Sequence, residues 1–276
     1  MALDLRKQSC DDVIARVQRV LGTQFDNATE VRKRRSIGFR TGRGTWVRIE
    51  VRTLERMSFQ GGNGIESASI LSGVAMPEWC QCVSWMDRDQ SLVWRADETE
   101  FVTSASIKPA GTLATDPGLP NSWWITFNAS LDALAKHSTS RVATPTLIPM
   151  TQSRFTSTIR AIFPEVDTTI DEWTTAHGDL GWANLTAPEC FFLDWEDWGT
   201  APRGFDAAYL RSASLAVPAL ADRVYRERRT DLETRTGKLC QLYTCAGLLS
   251  APDWAGPLLE PAKEIAHRLV MELRER

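Results

Sequence analysis

The chain has 276 residues, of which 43% are hydrophobic and 24% charged, and its formal net charge is -3. This length is enough for two lobes with sizeable cores, and the composition is ordinary for a globular protein. The small negative charge argues against nucleic acid or an anionic membrane as a partner. No apolar run reaches membrane-spanning length, and none follows the basic residues near the start. We therefore expect a cytoplasmic protein.

The first hundred residues change from helical to strand-like periodicity. Apolar residues recur at helical spacing over 11–21, and Gly22 follows as a stop signal. A second, short helix is expected over 65–71, and the Gly-rich stretch 41–44 predicts a tight turn. Four segments have strand character, namely residues 36–40, 47–51, 83–86 and 92–94. This part of the chain is therefore predicted to be a small antiparallel sheet with one preceding and one inserted helix.

The composition changes at residues 104–120, which are rich in Ser, Pro, Gly, Thr and Asp and indicate a connector or hinge. Beyond it, apolar residues return at helical spacing in five segments, namely 124–137, 155–163, 205–220, 232–249 and 261–273. The sequence therefore predicts an α+β protein with a mostly β lobe over residues 1–103 and a mostly α lobe over 104–276.

The cysteines and histidines do not indicate a metal centre. The six cysteines include no Cys-x-x-Cys pair, and only three histidines are present. A zinc site at Cys80 and Cys82 would lack a second pair of ligands. Reduced thiols, partly buried in the core, are the favoured interpretation.

The most informative segment runs from Ala176 to Leu185 and is followed by Leu193-Asp194-Trp195-Glu196. An Asp, an Asn five residues later and an Asp that closes a short apolar strand can together handle a hydroxyl, a Mg²⁺ ion and a nucleotide phosphate. Asp179 can accept the proton of an attacking hydroxyl, and Asn184 and Asp194 can hold the metal. The Asp-x4-Asn pattern alone is common, and it becomes specific through the spacing to Asp194 and the downstream Gly-Phe-Asp at 204–206.

These segments resemble the catalytic core of the aminoglycoside phosphotransferase and choline kinase families, which are relatives of the protein kinases. The resemblance covers Thr175 to Leu210, including the run 198–206, in which a turn precedes an aromatic residue and an Asp. It implies a two-lobed, protein-kinase-like fold with a nucleotide-covering β lobe and a helical lobe that carries the catalytic loop, the metal site and the acceptor cleft. It also implies an ATP- or GTP-dependent kinase with Mg²⁺ as cofactor and an alcohol group as acceptor.

Carried over residue by residue, the resemblance implies that Asp179 orients or deprotonates the acceptor hydroxyl and that Asn184 and Asp194 ligate Mg²⁺. His177 would steady the catalytic loop, and Asp206 would brace it through hydrogen bonds to backbone N–H groups. The sequence departs from the family at Gly181, where many members have a His. Glu196 is expected either to serve a second metal ion or to have a surface or hydrogen-bonding role.

The β lobe contains no Lys on the strand that usually carries the phosphate-binding cation. Arg48 lies at the centre of this strand, and Glu66 is its expected partner on the short helix. The alternative is that Arg48 and Arg52 lie on a solvated strand face. The 41–44 turn could cover phosphates with its N–H groups, but a Gly turn in a hairpin needs no ligand to explain it.

The sequence leaves the acceptor open. An aminoglycoside-like molecule, another metabolite such as an amino alcohol or sugar, and a Ser or Thr of a natural-product precursor peptide are all compatible with the motif. A pseudokinase that binds nucleotide as a scaffold or partner protein is the alternative to an enzyme. A nucleic-acid-binding role for the basic run 31–35 is opposed by the overall acidity.

Overall fold

The computed structural model describes residues 4–55, 57, 62–87 and 91–274. The chain divides into two compact units, one formed by the described residues of Met1–Ile70 and Met76–Thr103, the other by those of Leu71–Ala75 and Ser104–Arg276. The segment Leu71–Ala75 lies within the predicted first lobe, but its hydrogen bonds lie in the second unit. The backbone N–H of Phe192 donates to the carbonyl of Ala75 at 2.7 Å, and the N–H of Ala75 donates to Ser130 Oγ at 3.0 Å.

The first unit is built on a five-stranded antiparallel sheet in the order β1-β2-β3-β5-β4. Its strands are β1 Phe25–Arg32, β2 Ser36–Thr41, β3 Thr45–Thr53, β4 Trp79–Asp87 and β5 Leu92–Glu100. The predicted hairpin and strand pair are confirmed, with longer strands. The sequence did not predict β1, because most side chains of this edge strand are polar and exposed. Most of the turn expected after Asp87 lies outside the described residues.

Helix α1 covers Asp11–Leu21, as predicted, and it packs against one face of this sheet. Gly22 ends the helix with φ 63°, a left-handed conformation that glycine adopts at little cost. Val17 and Leu21 of the helix share a buried cluster with alternate β3 residues such as Ile49. The alternation of the strand therefore places the polar residues of β3 on the opposite face.

The remaining elements fill out the two units. In the first, α2 covers Gly64–Ala68 and is shorter than predicted, because Leu71 already belongs to the second unit. The helices of the second unit are α3 Asn121–Lys136, α4 Gln152–Arg160, α5 Phe205–Ala213, α6 Pro218–Glu227, α7 Arg229–Leu232, α8 Arg235–Ser250, α9 Pro252–Ala255 and α10 Leu259–Arg274. Its short strands pair as β6 Ala105–Ser106 with β8 Thr186–Ala187, and β7 Trp173–Ala176 with β9 Gly199–Pro202.

The single helix predicted over 205–220 is two helices. Helix α5 ends at Ala213, and Pro218 begins α6, a position where its missing N–H removes no helical hydrogen bond. The helices of the second unit enclose a core that includes Phe155, Phe205 and Leu239. The α+β fold class is confirmed. All six cysteines are free thiols. Among the described residues, no helix combines the length and hydrophobicity needed to cross a bilayer.

Candidate active site

The loop that follows β7 is held by the side chain of Asp206, at the start of α5. The carboxylate accepts hydrogen bonds from the backbone N–H of His177 at 2.7 Å and of Gly178 at 2.9 Å. Gly178 has φ 85°, and a Cβ there would lie 2.5 Å from the carbonyl oxygen of Asp197. Only glycine fits this position, since the left-handed backbone and the close approach both exclude a side chain.

His177 is fully buried and connects the loop to the segment before Asp194. This segment forms only an isolated β-bridge between Phe192 and Leu185, where the sequence predicted a short strand. The Nδ1 of His177 accepts the N–H of Asp179 at 3.4 Å, and its Nε2 lies 2.9 Å from the carbonyl oxygen of Leu193. With Nδ1 as acceptor, Nε2 carries the hydrogen and donates to that carbonyl. The ring also packs edge-on against Trp195 at 4.7 Å between centroids. His177 therefore fixes the two chain segments relative to each other.

The same two segments bring Asp179, Asn184 and Asp194 together. The side-chain amide of Asn184 donates to the carbonyl oxygen of Asp179 at 2.8 Å and to its Oδ2 at 3.1 Å. The N–H of Leu193 donates to the carbonyl of Asn184 at 2.8 Å, so Asp194 follows directly beside Asn184. Asp194 has φ 62°, an uncommon conformation for a non-glycine residue that is often found at functional sites.

Burial raises the pKa of Asp179 above its usual value. The His177 ring and the Asn184 hydrogen bond oppose the rise, whereas the nearby carboxylates of Asp197 and Asp194 add to it. A carboxylate with a raised pKa is a better proton acceptor than an ordinary Asp. Burial also raises the pKa of Asp206, against the hydrogen bonds that its carboxylate accepts from the loop.

The donors at Asn184 and Asp194 fit a small hard cation. Asn184 uses its amide nitrogen on Asp179, which leaves its amide oxygen as a possible ligand. Within the described ranges, no group of three or more His, Cys, Asp or Glu side chains is arranged to hold a metal ion. Mg²⁺ is commonly bound by one or two protein carboxylates together with substrate phosphates and water. An Asn–Asp pair therefore fits such an ion better than it fits zinc.

Asp197 belongs to the same site and was not singled out from the sequence. Its Oδ1 accepts a hydrogen bond from the hydroxyl of Thr144 at 2.8 Å, and its carbonyl accepts the N–H of Thr144 at 3.0 Å. The next residue, Trp198, lies beneath the guanidinium of Arg141, 4.9 Å from the ring centroid. These contacts anchor the chain just after Asp194. The only sequence signal was a third acidic residue three positions after Asp194.

The expected pairing of Arg48 with Glu66 in the first unit is wrong. Glu66 pairs with Nη2 of Arg95 at 3.0 Å, and Arg95 also pairs with Asp97 at 2.6 Å. Arg48 pairs with Glu50, two residues along its own strand. The β3–β5 register explains this arrangement, because it sets Glu50 opposite Arg95 and thereby places Arg95 on the same sheet face as Arg48.

Two further expectations in the first unit are changed. Arg52 does not lie on a solvated face, since its side chain is 8% exposed and pairs with Glu50 at 2.8 Å. In the 41–44 turn, Arg43 donates to Glu98 at 2.8 Å and to the carbonyl of Leu21 at 3.1 Å. The turn is therefore held by contacts within its own unit, and no ligand is needed to explain its conformation.

Comparison with solved structures defines the class of fold. An amicoumacin kinase, solved with AMP-PNP, Ca²⁺ and Ami, has a TM-score of 0.53 at 12% identity and covers 97% of this chain and 96% of its own. A macrolide 2′-phosphotransferase from Brachybacterium faecium has a TM-score of 0.55 at 14% identity, and the alignment covers 94% of this chain and 98% of the phosphotransferase. A choline/ethanolamine kinase family protein from Mesorhizobium loti has a TM-score of 0.51 at 13% identity, and the alignment covers 96% of this chain and 99% of the Mesorhizobium protein.

The chain therefore has a protein-kinase-like fold. More particularly, it is the fold of the aminoglycoside phosphotransferases and choline kinases, and the resemblance predicted from the catalytic-loop sequence is confirmed at this level. No protein-family model matches the sequence, and no curated protein matches it significantly. Identities this low establish the fold and leave the reaction to be argued from the site.

Proposed function

We propose that the protein is an ATP- or GTP-dependent O-phosphotransferase that moves the γ-phosphoryl group to a hydroxyl of a small molecule. The observation that carries the proposal is that Asp179, Asn184 and Asp194 lie next to one another at one end of a buried scaffold. Asp206 holds the loop through two backbone N–H groups, and His177 links the loop to the segment before Asp194. A site held this firmly is what positional catalysis of phosphoryl transfer requires.

Each residue has a defined task in this proposal. Asp179 accepts a hydrogen bond from the acceptor hydroxyl and takes its proton as the new O–P bond forms and the bond to the nucleoside diphosphate breaks. The Asn184 amide oxygen and the Asp194 carboxylate would hold Mg²⁺, which when bound neutralises charge on the phosphates. His177 and Asp206 maintain the loop. Arg48 is proposed to contact the donor phosphates, and Glu66 supports the sheet face through Arg95.

The ion pairs of the helical unit favour an acceptor that is not a polycation. A polycationic acceptor would need unpaired carboxylates in its binding site. Glu227 instead pairs with Arg223 at 2.7 Å, and Asp231 pairs with Arg203 at 3.0 Å and also with Arg228. Because these acids are already neutralised by arginine, we place neutral or singly charged alcohols ahead of aminoglycosides. A Ser or Thr of a peptide remains an acceptor to be tested.

The test uses purified protein with Mg²⁺ and either ATP or GTP. The acceptor panel contains sugars, amino alcohols, aminoglycosides and Ser/Thr peptides, and mass spectrometry detects the gain of one phosphoryl group. Asp179→Asn is the matched variant, since it keeps the shape of the side chain and removes its basicity. We expect one acceptor class to be phosphorylated by the wild type, and Asp179→Asn to bind nucleotide with little transfer.

The alternative, a pseudokinase, makes the opposite prediction. A scaffold would bind nucleotide tightly without phosphorylating any acceptor, and Asp179→Asn would leave its partner binding unchanged. Failure to bind either nucleotide in the presence of Mg²⁺ would contradict both proposals.

A further inference from the structure

The loop that follows β7 carries a tryptophan between two residues of the proposed site. Trp182 lies three positions after Asp179 and two before Asn184, and it is 3% exposed. Its indole N–H donates to the hydroxyl oxygen of Ser214 at 3.0 Å, and this hydrogen bond is buried. The middle of the loop is therefore tied to a residue that lies 32 positions further along the chain.

Ser214 is a well-held acceptor for this indole. It is fully buried and directly follows the last residue of α5. Its hydroxyl donates to the carbonyl of Leu210 at 2.7 Å, and its backbone N–H donates to the carbonyl of Arg211 at 3.0 Å. Because the hydroxyl hydrogen is used on the helix, the oxygen is left to accept from Trp182.

Helix α5 therefore holds the loop at two places. Asp206, in the first turn of the helix, accepts the two backbone N–H groups just before Asp179. Ser214, just past the last turn, accepts the indole of Trp182, which comes after Asp179. The backbone that carries Asp179 thus has both of its ends fixed to one rigid element.

The ring and the backbone of Trp182 are held as well as its N–H. The ring lies beside that of Trp123, at 6.3 Å between centroids, and Trp123 donates its own indole N–H to the carbonyl of Thr186 at 2.7 Å. The backbone carbonyl of Trp182 accepts the N–H of Lys108 at 3.1 Å. Three separate chain segments therefore fix this one residue of the loop.

We propose that Trp182 is a positioning residue, whose hydrogen bond to Ser214 sets the spacing between Asp179 and Asn184. The side-chain amide of Asn184 reaches the carbonyl and the carboxylate of Asp179, and both contacts depend on the path of residues 180–183. The inference rests on the proposed phosphotransferase function. It adds to that function a residue that acts on the reaction through Asp179 and Asn184.

The first test removes this hydrogen bond from either side. Trp182→Phe deletes the indole N–H and keeps an aromatic ring, whereas Ser214→Ala deletes the acceptor and leaves the loop sequence intact. We expect each variant to lower kcat roughly tenfold and to change the KM for nucleotide less than about twofold, since small displacements of reacting groups slow the chemical step. The double variant should lose about as much kcat as either single variant, because both substitutions remove the same bond.

Ser130→Ala is the matched control. Ser130 of α3 is 2% exposed, and its hydroxyl oxygen accepts one N–H, that of Ala75, at 3.0 Å. The substitution, the burial and the length of the lost hydrogen bond therefore match those of Ser214→Ala. We expect both variants to lower Tm by a few degrees, and only Ser214→Ala to lower kcat.

The second test does not depend on turnover. The chain contains five asparagines, so ¹⁵N-asparagine labelling gives few side-chain amide signals, and Asn184→Asp identifies the one from Asn184. We expect Ser214→Ala to shift this signal, because the hydrogen bonds of Asn184 to Asp179 change when the loop is released. Ser130→Ala should leave the signal in place.

The outcomes separate this inference from the proposed function. An active wild type with unchanged kcat in Ser214→Ala, or an Asn184 signal that does not respond to Ser214→Ala, overturns the positioning role alone. Equal losses of kcat in Ser214→Ala and Ser130→Ala also overturn it, because that pattern indicates a structural role, and so do losses that multiply in the double variant. A wild type that transfers phosphate to no acceptor overturns the proposed function and the positioning role with it.

Discussion

The side chain of Asp206 and the backbone of Gly178 are joined by a buried hydrogen bond of 2.9 Å, beside a second bond of 2.7 Å to the N–H of His177. One carboxylate therefore satisfies two adjacent backbone donors that would otherwise be buried without partners. Bonds of this kind, between a charged acceptor and buried N–H groups, are among the stronger ones in proteins. The backbone of the loop that follows β7 is thus held by a residue 28 positions away in the chain.

Asp206→Asn should therefore destabilise the protein and weaken catalysis together. The amide oxygen of the variant can accept a hydrogen bond from one of the two loop N–H groups. Its NH₂ group then faces the other N–H group, so two buried donors meet without an acceptor. We expect a loss of about 3 kcal/mol in the free energy of unfolding and a large fall in kcat. Urea denaturation and a phosphotransfer assay measure the two effects. Asp222→Asn, at an exposed position, serves as the control and should change stability by less than about 0.5 kcal/mol.

Arg48 and Arg95, which share the polar sheet face with Arg52, should respond differently to substitution. The side chain of Arg95 is 13% exposed and pairs with Glu66 and Asp97, so Arg95→Met leaves two acids without their cation. We expect this change to cost about 3 kcal/mol of stability. Arg48 is 38% exposed, and Arg48→Met should cost less than about 1 kcal/mol while lowering nucleotide affinity about tenfold.

Calorimetric nucleotide binding and chemical denaturation of both variants test this difference. If Arg95→Met is as stable as wild type but loses nucleotide binding, and Arg48→Met binds normally, the phosphate contact must be assigned to Arg95.

Asp194→Asn should separate metal binding from folding. Asn tolerates the left-handed backbone that Asp194 adopts, so the substitution adds little strain, whereas the negative charge is lost. In the wild type, Mg²⁺ with nucleotide at about 100 times its Kd should stabilise the protein by about 2.7 kcal/mol. We expect Asp194→Asn to keep the ligand-free Tm and to lose most of this increment. Thermal unfolding with nucleotide, with and without Mg²⁺, gives the comparison. An undiminished Mg²⁺ effect in the variant would exclude Asp194 as a ligand.

The sequence predicted most of what depends on local pattern. Helix α1 and its Gly22 stop follow from periodicity and backbone preference, and the set Asp179, Asn184 and Asp194 was recognisable from spacing. Strand β1 was missed because an edge strand has few apolar residues to reveal it. The break before Pro218 was readable in principle, since proline cannot continue a helix.

What the sequence could not supply was pairing between distant elements. Glu66 pairs with Arg95 rather than Arg48 because strand register and helix placement decide which side chains meet. Asp197 joins the site through hydrogen bonds with Thr144, which lies on a distant chain segment. No periodicity marks Asp197, since tertiary contacts rather than a repeating pattern place it there.

The phenol of Tyr209 should impose a measurable pH dependence on stability. Its pKa is raised from 10.0 to about 12 in the folded protein. Between these values the unfolded chain has released the proton and the folded protein still holds it, so the free energy of unfolding falls as pH rises. For this group the fall is about 1.3 kcal/mol between about pH 9 and pH 11, and below that range its contribution is constant. Tyr209→Phe removes the titrating group. Over this pH range, the free energy of unfolding of the variant should therefore fall by about 1.3 kcal/mol less than that of the wild type. Urea unfolding of both proteins across this range measures the difference, in which the titration of lysines and other tyrosines cancels. Parallel curves would mean that folding does not raise the pKa of Tyr209.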